Sequence, residues 1–436
     1  MIRPTFVIAA LVLALPALAG SANLSAVYEM ARENDAEYAA ARENFKAGQE
    51  KIPQGRANLL PTINLGASAA YKHESIEYRT GVSPAPIDFT STSISLKLTQ
   101  PIYRKQNLEA YEQAKVQVQL SEQQLQLAGQ KLLLSVAQAY FSVLQAQDVL
   151  ATSQSQKQAY AEQLAQARKS FEVGAATITD THEAQARYDL TTAQEIAAQN
   201  DLEVKRRSLE KIINKDSPDL ARLSEGAKLA LPEPNNMDAW VKQAEEDSLS
   251  VHSYQSAVEL ARRGVEFQRG GQRPTLDLAA SYSDGHNPAS TLTSSRTGAI
   301  GLEFGWLLYQ GGAVDSRIRE AVALHEKSRY ELDNARRQAR LDARQSFLGV
   351  LSGNAQVKAL EQALVSSEAQ LSSTKLGLEV GVRTRVDVLN AQQQLFTTRR
   401  DLAGARYQTL VAGLQLKAAA GILKEEDLKV VDTLLK

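Results

Sequence analysis

The chain carries one architectural unit twice. Phe171-Glu172-Val173-Gly174-Ala175-Ala176-Thr177-Ile178-Thr179-Asp180 corresponds to Leu378-Glu379-Val380-Gly381-Val382-Arg383-Thr384-Arg385-Val386-Asp387 at an offset of 207, and Ala184-Gln185 matches Ala391-Gln392 at the same offset. Upstream, Pro61-Thr62-x-x-Leu65-x-Ala67 corresponds to Pro274-Thr275-x-x-Leu278-x-Ala280 at 213, and Tyr103 to Tyr309 at 206. The change of offset puts a difference of seven residues into a loop between the proline and the tyrosine. Self-similarity at a fixed spacing limits the fold to two like units joined head to tail, and each must be read as the same series of elements.

Each copy opens with an amphipathic helix, about Leu24 to Leu60 ended by Pro61 and about Met237 to Arg273 ended by Pro274. After the proline the hydrophobic period changes to two. Ile63, Leu65, Ala67, Ala69 and Tyr71 alternate with small or polar residues, and a returning strand sets Ile94, Leu96 and Leu98 against Ser93, Ser95, Lys97 and Thr99. The second copy repeats this with Leu276, Leu278, Ala280 and Tyr282, then Ile300, Leu302 and Phe304. The expected hairpins, about 62–99 and 275–305, thus hold four strands of roughly ten residues, the length that crosses a bilayer when tilted. Tyr71, Phe89, Tyr103, Tyr282, Phe304, Trp306 and Tyr309 lie near strand ends, as an interfacial aromatic girdle requires. A soluble two-faced sheet shows the same alternation. In a membrane, however, four strands do not close a barrel, so several chains must contribute strands or leave open edges in lipid.

The intervening segments are rods. Residues 104–173 and 310–379 are each 70 residues without proline, about 105 Å of helix at 1.5 Å per residue. The remaining helical stretches, 24–60, 237–273 and 180–214 with its counterpart 385–420, are about half as long, so two stacked end to end match one rod. A seven-residue period runs through Leu120, Leu127, Leu134 and Phe141, and through Val350, Val357, Leu364, Leu371 and Leu378, calling for coiled-coil pairing. Residues 215–236, with Pro218, Pro232 and Pro234, link the copies, and 421–436 form a short tail. Both are expected as a belt halfway along the rods.

The compartment follows from the N-terminus. Arg3, the apolar run Phe6–Leu18 and the small residues Ala17, Ala19, Gly20 and Ala22 read as a signal peptide over residues 1–22, with cleavage after Ala19 or, preferred here, Ala22. No cysteine is present, so neither a disulfide framework nor a lipid-acceptor thiol is available. No later apolar stretch is long enough for a helical span, which leaves a β-barrel as the way into a membrane. A net charge of −1 gives no electrostatic case for nucleic acid. The five histidines, His73, His182, His252, His286 and His325, have no metal-ligand spacing, and no phosphate loop or nucleophile elbow is present. Neither an enzyme nor a cofactor is expected. A periplasmic coiled-coil adaptor or structural protein is the alternative that long helices allow, but it needs no repeated strands of bilayer length.

The most specific local signal is the duplicated turn Val-Gly-x-x-Thr-x-x-Asp. Gly174 and Gly381 suit the left-handed residue that ends a helix, and Thr177 with Asp180, like Thr384 with Asp387, has the spacing of a capping box. These motifs, with Leu60-Pro61-Thr62, Gln100-Pro101-Ile102-Tyr103, the run Val380 to Ala391 and Leu423-Lys-Glu-Glu-Asp-Leu428, make the mature chain resemble the TolC family of outer-membrane efflux and type I secretion channels. The resemblance implies a mainly α protein with a small β part: a homotrimer with a 12-stranded barrel in outer-membrane lipid, four strands per protomer, continuous with a periplasmic tunnel of helices. It also implies a tip that closes like an iris and docks a periplasmic adaptor (membrane fusion) protein joined to an inner-membrane ABC or RND-type pump. By the same resemblance Val173, Gly174, Thr177, Val380, Gly381 and Thr384 form the docking turns. Arg383 is the tether to Thr179 and Asp180, and Asp387 forms an acidic ring. Leu378 stands where the family has a second, tyrosine tether, and Asn390 where it has a second acidic ring. These departures predict a gate with fewer polar restraints and weaker cation preference.

Overall fold

A computed structural model describes residues 21–79, 81, 83–224, 226–227, 229–287 and 293–436. The signal-peptide expectation falls almost entirely on residues 1–20, outside the described residues. The first repeat runs α1 (Leu24–Asn34), α2 (Ala36–Gln49), α3 (Lys51–Ala57), β1 (Thr62–Glu74), β2 (Ile87–Tyr103), α4 (Lys105–Glu172) and α5 (Ile178–Ile213). The second runs α6 (Met237–Asp247), α7 (Leu249–Gly270), β3 (Thr275–His286), β4 (Ser294–Gly305), α8 (Ala313–Glu379) and α9 (Arg385–Ala419), and α10 (Glu425–Asp432) follows.

The first helix of each repeat is broken, where the sequence reading had one continuous segment. Asp35 takes an extended conformation (φ −67°, ψ 124°) and its carboxylate accepts from Tyr38 N, so it ends α1 and caps α2. Ser248 breaks the second repeat with the same extended backbone (φ −57°, ψ 128°), though its side chain makes no capping hydrogen bond. The two breaks are 213 residues apart, the offset of the paired prolines, so the break itself is duplicated. A further break at Glu50 belongs to the first repeat alone. Pro53 lacks an N–H and its ring opposes the carbonyl four residues back, that of Gln49, where α2 ends.

The strands form one antiparallel sheet in the order β1-β2-β3-β4, so β2 and β3 join the two repeats and β1 and β4 are its free edges. They are longer than the ten residues expected, at 13, 17, 12 and 12. A register shift between Pro101 and Tyr103 marks the point where Pro101 cannot donate to the ladder. The pairing places Leu65 opposite Leu96, Leu96 opposite Tyr282 and Ala280 opposite Ile300, which makes one face of the sheet apolar. The other face carries Ser68 against Ser93, Ser95 against Ser283, and Ala279 against Gly301. On the apolar face Leu65, Ile300 and Leu302 are 64 % exposed or more, a face that lipid or another protein surface must cover. Of the expected girdle, Tyr71, Tyr103, Tyr282, Phe304, Trp306 and Tyr309 are exposed. Phe89 is a correction: it pairs with Lys72 on the polar face and is buried, because its place in the alternation is one residue off that of the apolar row.

The rods α4 and α8 are 68 and 67 residues long, about 100 Å each. Along α4, α1–α3 pack on the half nearer the sheet and α5 on the distal half; α6–α7 and α9 divide α8 in the same way. The largest core lies at the middle of α4, around Leu133, Val136, Tyr140, Phe141 and Leu144, where Leu24, Val27, Leu209, Ile213, Leu220, Leu414 and Leu428 converge. Linker and tail meet there. Leu223 pairs with Leu435, Ala22 with Leu220, and Asp432 accepts from Leu24 N, tying the C-terminal helix to the start of α1. Heptad residues Phe141, Val350 and Val357 are buried, whereas Leu364 and Leu371 are half-buried and the seam nearer the turns takes in Gln156, Ser367, Gln392 and Thr398.

Candidate gate at the helical tip

Each hairpin reverses by the same two devices. At the end of α4, Ala175 N donates to Ser170 O (2.7 Å) and Gly174 N to Phe171 O (2.9 Å), with Gly174 at φ +74°. At the end of α8, Val382 N donates to Gly377 O (2.9 Å) and Gly381 N to Leu378 O (3.1 Å), with Gly381 at φ +82°. These are Schellman closures, which require a residue that tolerates the left-handed region. The next helix then starts on a reciprocal cap. Thr177 Oγ1 accepts from Asp180 N and Asp180 Oδ2 from Thr177 N; Thr384 and Asp387 repeat the arrangement. The N–H and hydroxyl of Thr384, with the charge of Arg383, hold the Asp387 carboxyl below its ordinary value. One oxygen of the residue expected to form the acidic ring is therefore already engaged in capping.

The turns present apolar side chains to solvent: Val173 is 78 % exposed, Val380 66 % and Val382 75 %. Behind them an open groove on the α8–α9 hairpin is lined by Ser366, Gln370, Thr374, Arg383, Asp387 and Asn390. Arg383 lies flat across Gly377, where a Cβ would stand 2.7 Å from its Cγ. Among the described residues no hydrogen bond or ion pair within the chain joins Arg383 to Thr179 or Asp180. The Asp180 carboxylate faces Thr177 instead, and Thr179 is exposed.

The polar contacts that do join the α4–α5 and α8–α9 hairpins are ones the sequence reading did not assign. Arg385 Nη2 donates to Ser170 Oγ (2.6 Å) and Arg187 Nη2 to Asn390 Oδ1 (3.0 Å). Gln156 Nε2 and the Tyr160 hydroxyl donate to Gln393 Oε1 at 2.8 and 3.2 Å. Further along, the Tyr407 hydroxyl donates to Asp148 Oδ2 (2.6 Å), and burial together with that carboxylate pushes the Tyr407 phenol well up. The presence of Arg385 and Asn390 beside the second turn was legible; their partners were not. Leu378 supplies no polar restraint within the chain, whereas Arg385 and Arg187 each supply one.

Comparison with known proteins agrees with this architecture. The family model described as outer membrane efflux protein matches residues 27–215 and again 240–422, one match per repeat. The outer membrane protein TolC of Escherichia coli is 34 % identical over 433 residues, covering 96 % of this chain and 86 % of that protein. The alkaline protease secretion protein AprF of Pseudomonas aeruginosa is 31 % identical over 410 residues, covering 93 % and 85 %. Among solved structures, the Campylobacter jejuni CmeC outer membrane channel superposes with a TM-score of 0.83 at 16 % identity, covering 95 % of this chain and 90 % of that one. The outer membrane protein VceC of Vibrio cholerae gives 0.79 at 18 %, covering 91 % and 96 %. On these matches, a four-stranded two-faced sheet and two helical hairpins of matching design, the chain belongs to the outer membrane efflux protein family.

Proposed function

We infer that this chain is one protomer of an outer-membrane exit duct, and that three copies complete it. The observation that carries this reading is the sheet: four strands, apolar on one face and polar on the other, with free edges at β1 and β4. Edges of that kind are not stable in hydrocarbon. Pairing β4 of one copy with β1 of the next removes them, and three copies give 12 strands. The helices then continue the wall into the periplasm for about 100 Å. The polar face, where Ser68, Ser93, Ser95, Ser283 and Gly301 are interspersed with Lys72, Phe89, Lys97 and Glu303, lines the lumen of the barrel.

In this reading the gate is the distal end, where Thr179, Asp180, Arg383, Asp387 and Asn390 gather. The exposed Val173, Val380 and Val382 beside Gly174, Thr177, Gly381 and Thr384 dock a periplasmic adaptor, which links the duct to an inner-membrane ABC or RND-type pump. Export of proteins, as the name of the AprF relative indicates for that protein, and of small molecules are both served by such a lumen. The test is fractionation followed by reconstitution. The protein is expected in the outer membrane as an oligomer that dissociates only on heating, giving discrete conductance in planar bilayers and co-purifying with an adaptor and pump after crosslinking. A heat-insensitive monomer in the soluble periplasmic fraction would refute the proposal.

A further inference from the structure

We propose that the gate is latched inside each protomer by two arginines, Arg385 on Ser170 and Arg187 on Asn390. This rests on the exit-duct reading above and adds the residues that hold the inner hairpin, α8–α9, against the outer one, α4–α5.

Arg385 is the first residue of α9. A helix N-terminus disfavours positive charge, so this residue is poorly placed to stabilise its own helix. Its guanidinium instead crosses to α4 and donates to the Ser170 hydroxyl at 2.6 Å. Ser170 belongs to the Schellman closure of α4, its carbonyl accepting from Ala175 N, so the arginine grips the outer turn itself. Five residues along α9, Asn390 accepts from Arg187 of α5, and three further on Gln393 accepts from Gln156 and Tyr160. These contacts span about two helical turns. Arg383 makes none of these contacts; it lies with Asp387 and Asn390 in the groove on the α8–α9 hairpin.

The same seam is under-satisfied. Arg385 Nη1, Thr181 Oγ1 and Gln392 Oε1 are buried without a hydrogen-bond partner. Buried polar groups left unpaired make a closed arrangement costly, and opening hydrates them. The seam changes character toward the middle of the rods. There Tyr407 stacks on Phe141 at 5.7 Å and bonds to Asp148, and the surrounding residues are apolar and buried. Release therefore occurs between the turns and Tyr407, with the Tyr407 contact as the pivot. Both acceptors, a hydroxyl and an amide, are uncharged, so this latch contains no carboxylate.

The test is single-channel recording of the full-length protein in planar bilayers, with assembly of every variant checked as a heat-dissociable oligomer. Losing the part-buried Arg385–Ser170 bond is expected to shift the closed-to-open ratio about three- to tenfold per protomer, and losing the exposed Arg187–Asn390 bond by less. Arg385→Ala, Ser170→Ala and Arg187→Gln should each raise mean conductance. Arg385→Ala with Ser170→Ala should be no more open than either alone, because both delete one contact. Ser170→Ala removes a single oxygen and carries the test should Arg385→Ala fail to assemble. Because the chain has no native cysteine, Ser170→Cys with Arg385→Cys bridged by a bis-maleimide should hold the channel at low conductance. Unchanged conductance in all three single variants, additive effects of the pair, or an open bridged channel would overturn the latch. No conductance from the parent protein would instead overturn the duct reading on which it rests.

Discussion

Two glycines at the α8–α9 turn, four residues apart, should respond oppositely to the same substitution. Gly381 stands at φ +82° with nothing within 4 Å of where a Cβ would be. Alanine there meets no steric obstacle from the rest of the protein and suffers only the backbone cost of the left-handed region, about 1–2 kcal/mol for a residue with a Cβ. Gly377 lies inside α8, where alanine is intrinsically favoured by up to about 1 kcal/mol. Its new Cβ, however, would sit 2.7 Å from Arg383 Cγ and must push that flexible side chain off the helix. Gly381→Ala is therefore a stability change and Gly377→Ala a gate change. Amide exchange at residues 376–390 measures the first: a cost of 1–2 kcal/mol raises local opening about five- to thirtyfold. Gly381→Asn should fall between glycine and alanine, since asparagine tolerates this region. Gly377→Ala should leave exchange unchanged or slower while altering channel conductance through the displaced Arg383. Equal exchange in Gly381→Ala and the parent would refute the reasoning, as would faster exchange in Gly377→Ala than in Gly381→Ala.

Three further outcomes follow from the same geometry. Ala22 N donates to Asp219 O, and Ala22 O accepts from Ala221 N and the Tyr140 hydroxyl; these contacts favour a mature protein that retains Ala22, against the site preferred from the leader alone, so intact mass of the purified chain is expected to give cleavage after Ala19, and an N-terminus at Asn23 would contradict this. Tyr140 is fully buried and donates to Ala22 O and Ala221 O; Tyr140→Phe should cost about 1–2 kcal/mol, seen as a lower oligomer dissociation temperature, and no change would mean the hydroxyl is dispensable. Because Asp387 is held below its ordinary value by Thr384 and Arg383, its capping contribution is present above the unfolded carboxylate value of about 3.9. It is lost as pH falls through the lower folded value. Protection of the tip amides in the parent, expressed relative to the intrinsic exchange rate at each pH, should thus be flat from neutral pH to about 4 and fall below, whereas Asp387→Asn should be less protected throughout and show no acid step.

The sequence by itself determined the features that depend on neighbours in the chain. The repeat, the change of period after Pro61 and Pro274, the uninterrupted rods and the two turns are set by local sterics and hydrogen bonding, which the chain encodes within a few residues. The duplicated break at Asp35 and Ser248 was harder to see, because an Asp or Ser within an amphipathic run reads equally well as a surface residue. The face taken by Phe89 needed the strand register, since a shift of one residue reverses every side chain. The gate was legible in part: Gly174, Gly381, both capping boxes and the departure at Asn390 could be named. Only the tertiary structure decided what those residues touch. Ser170 lies 215 positions from Arg385, and Arg187 lies 203 from Asn390. Their pairing exists because α9 packs against α4 and approaches α5, a consequence of how two long hairpins lie side by side that no periodicity within either one expresses.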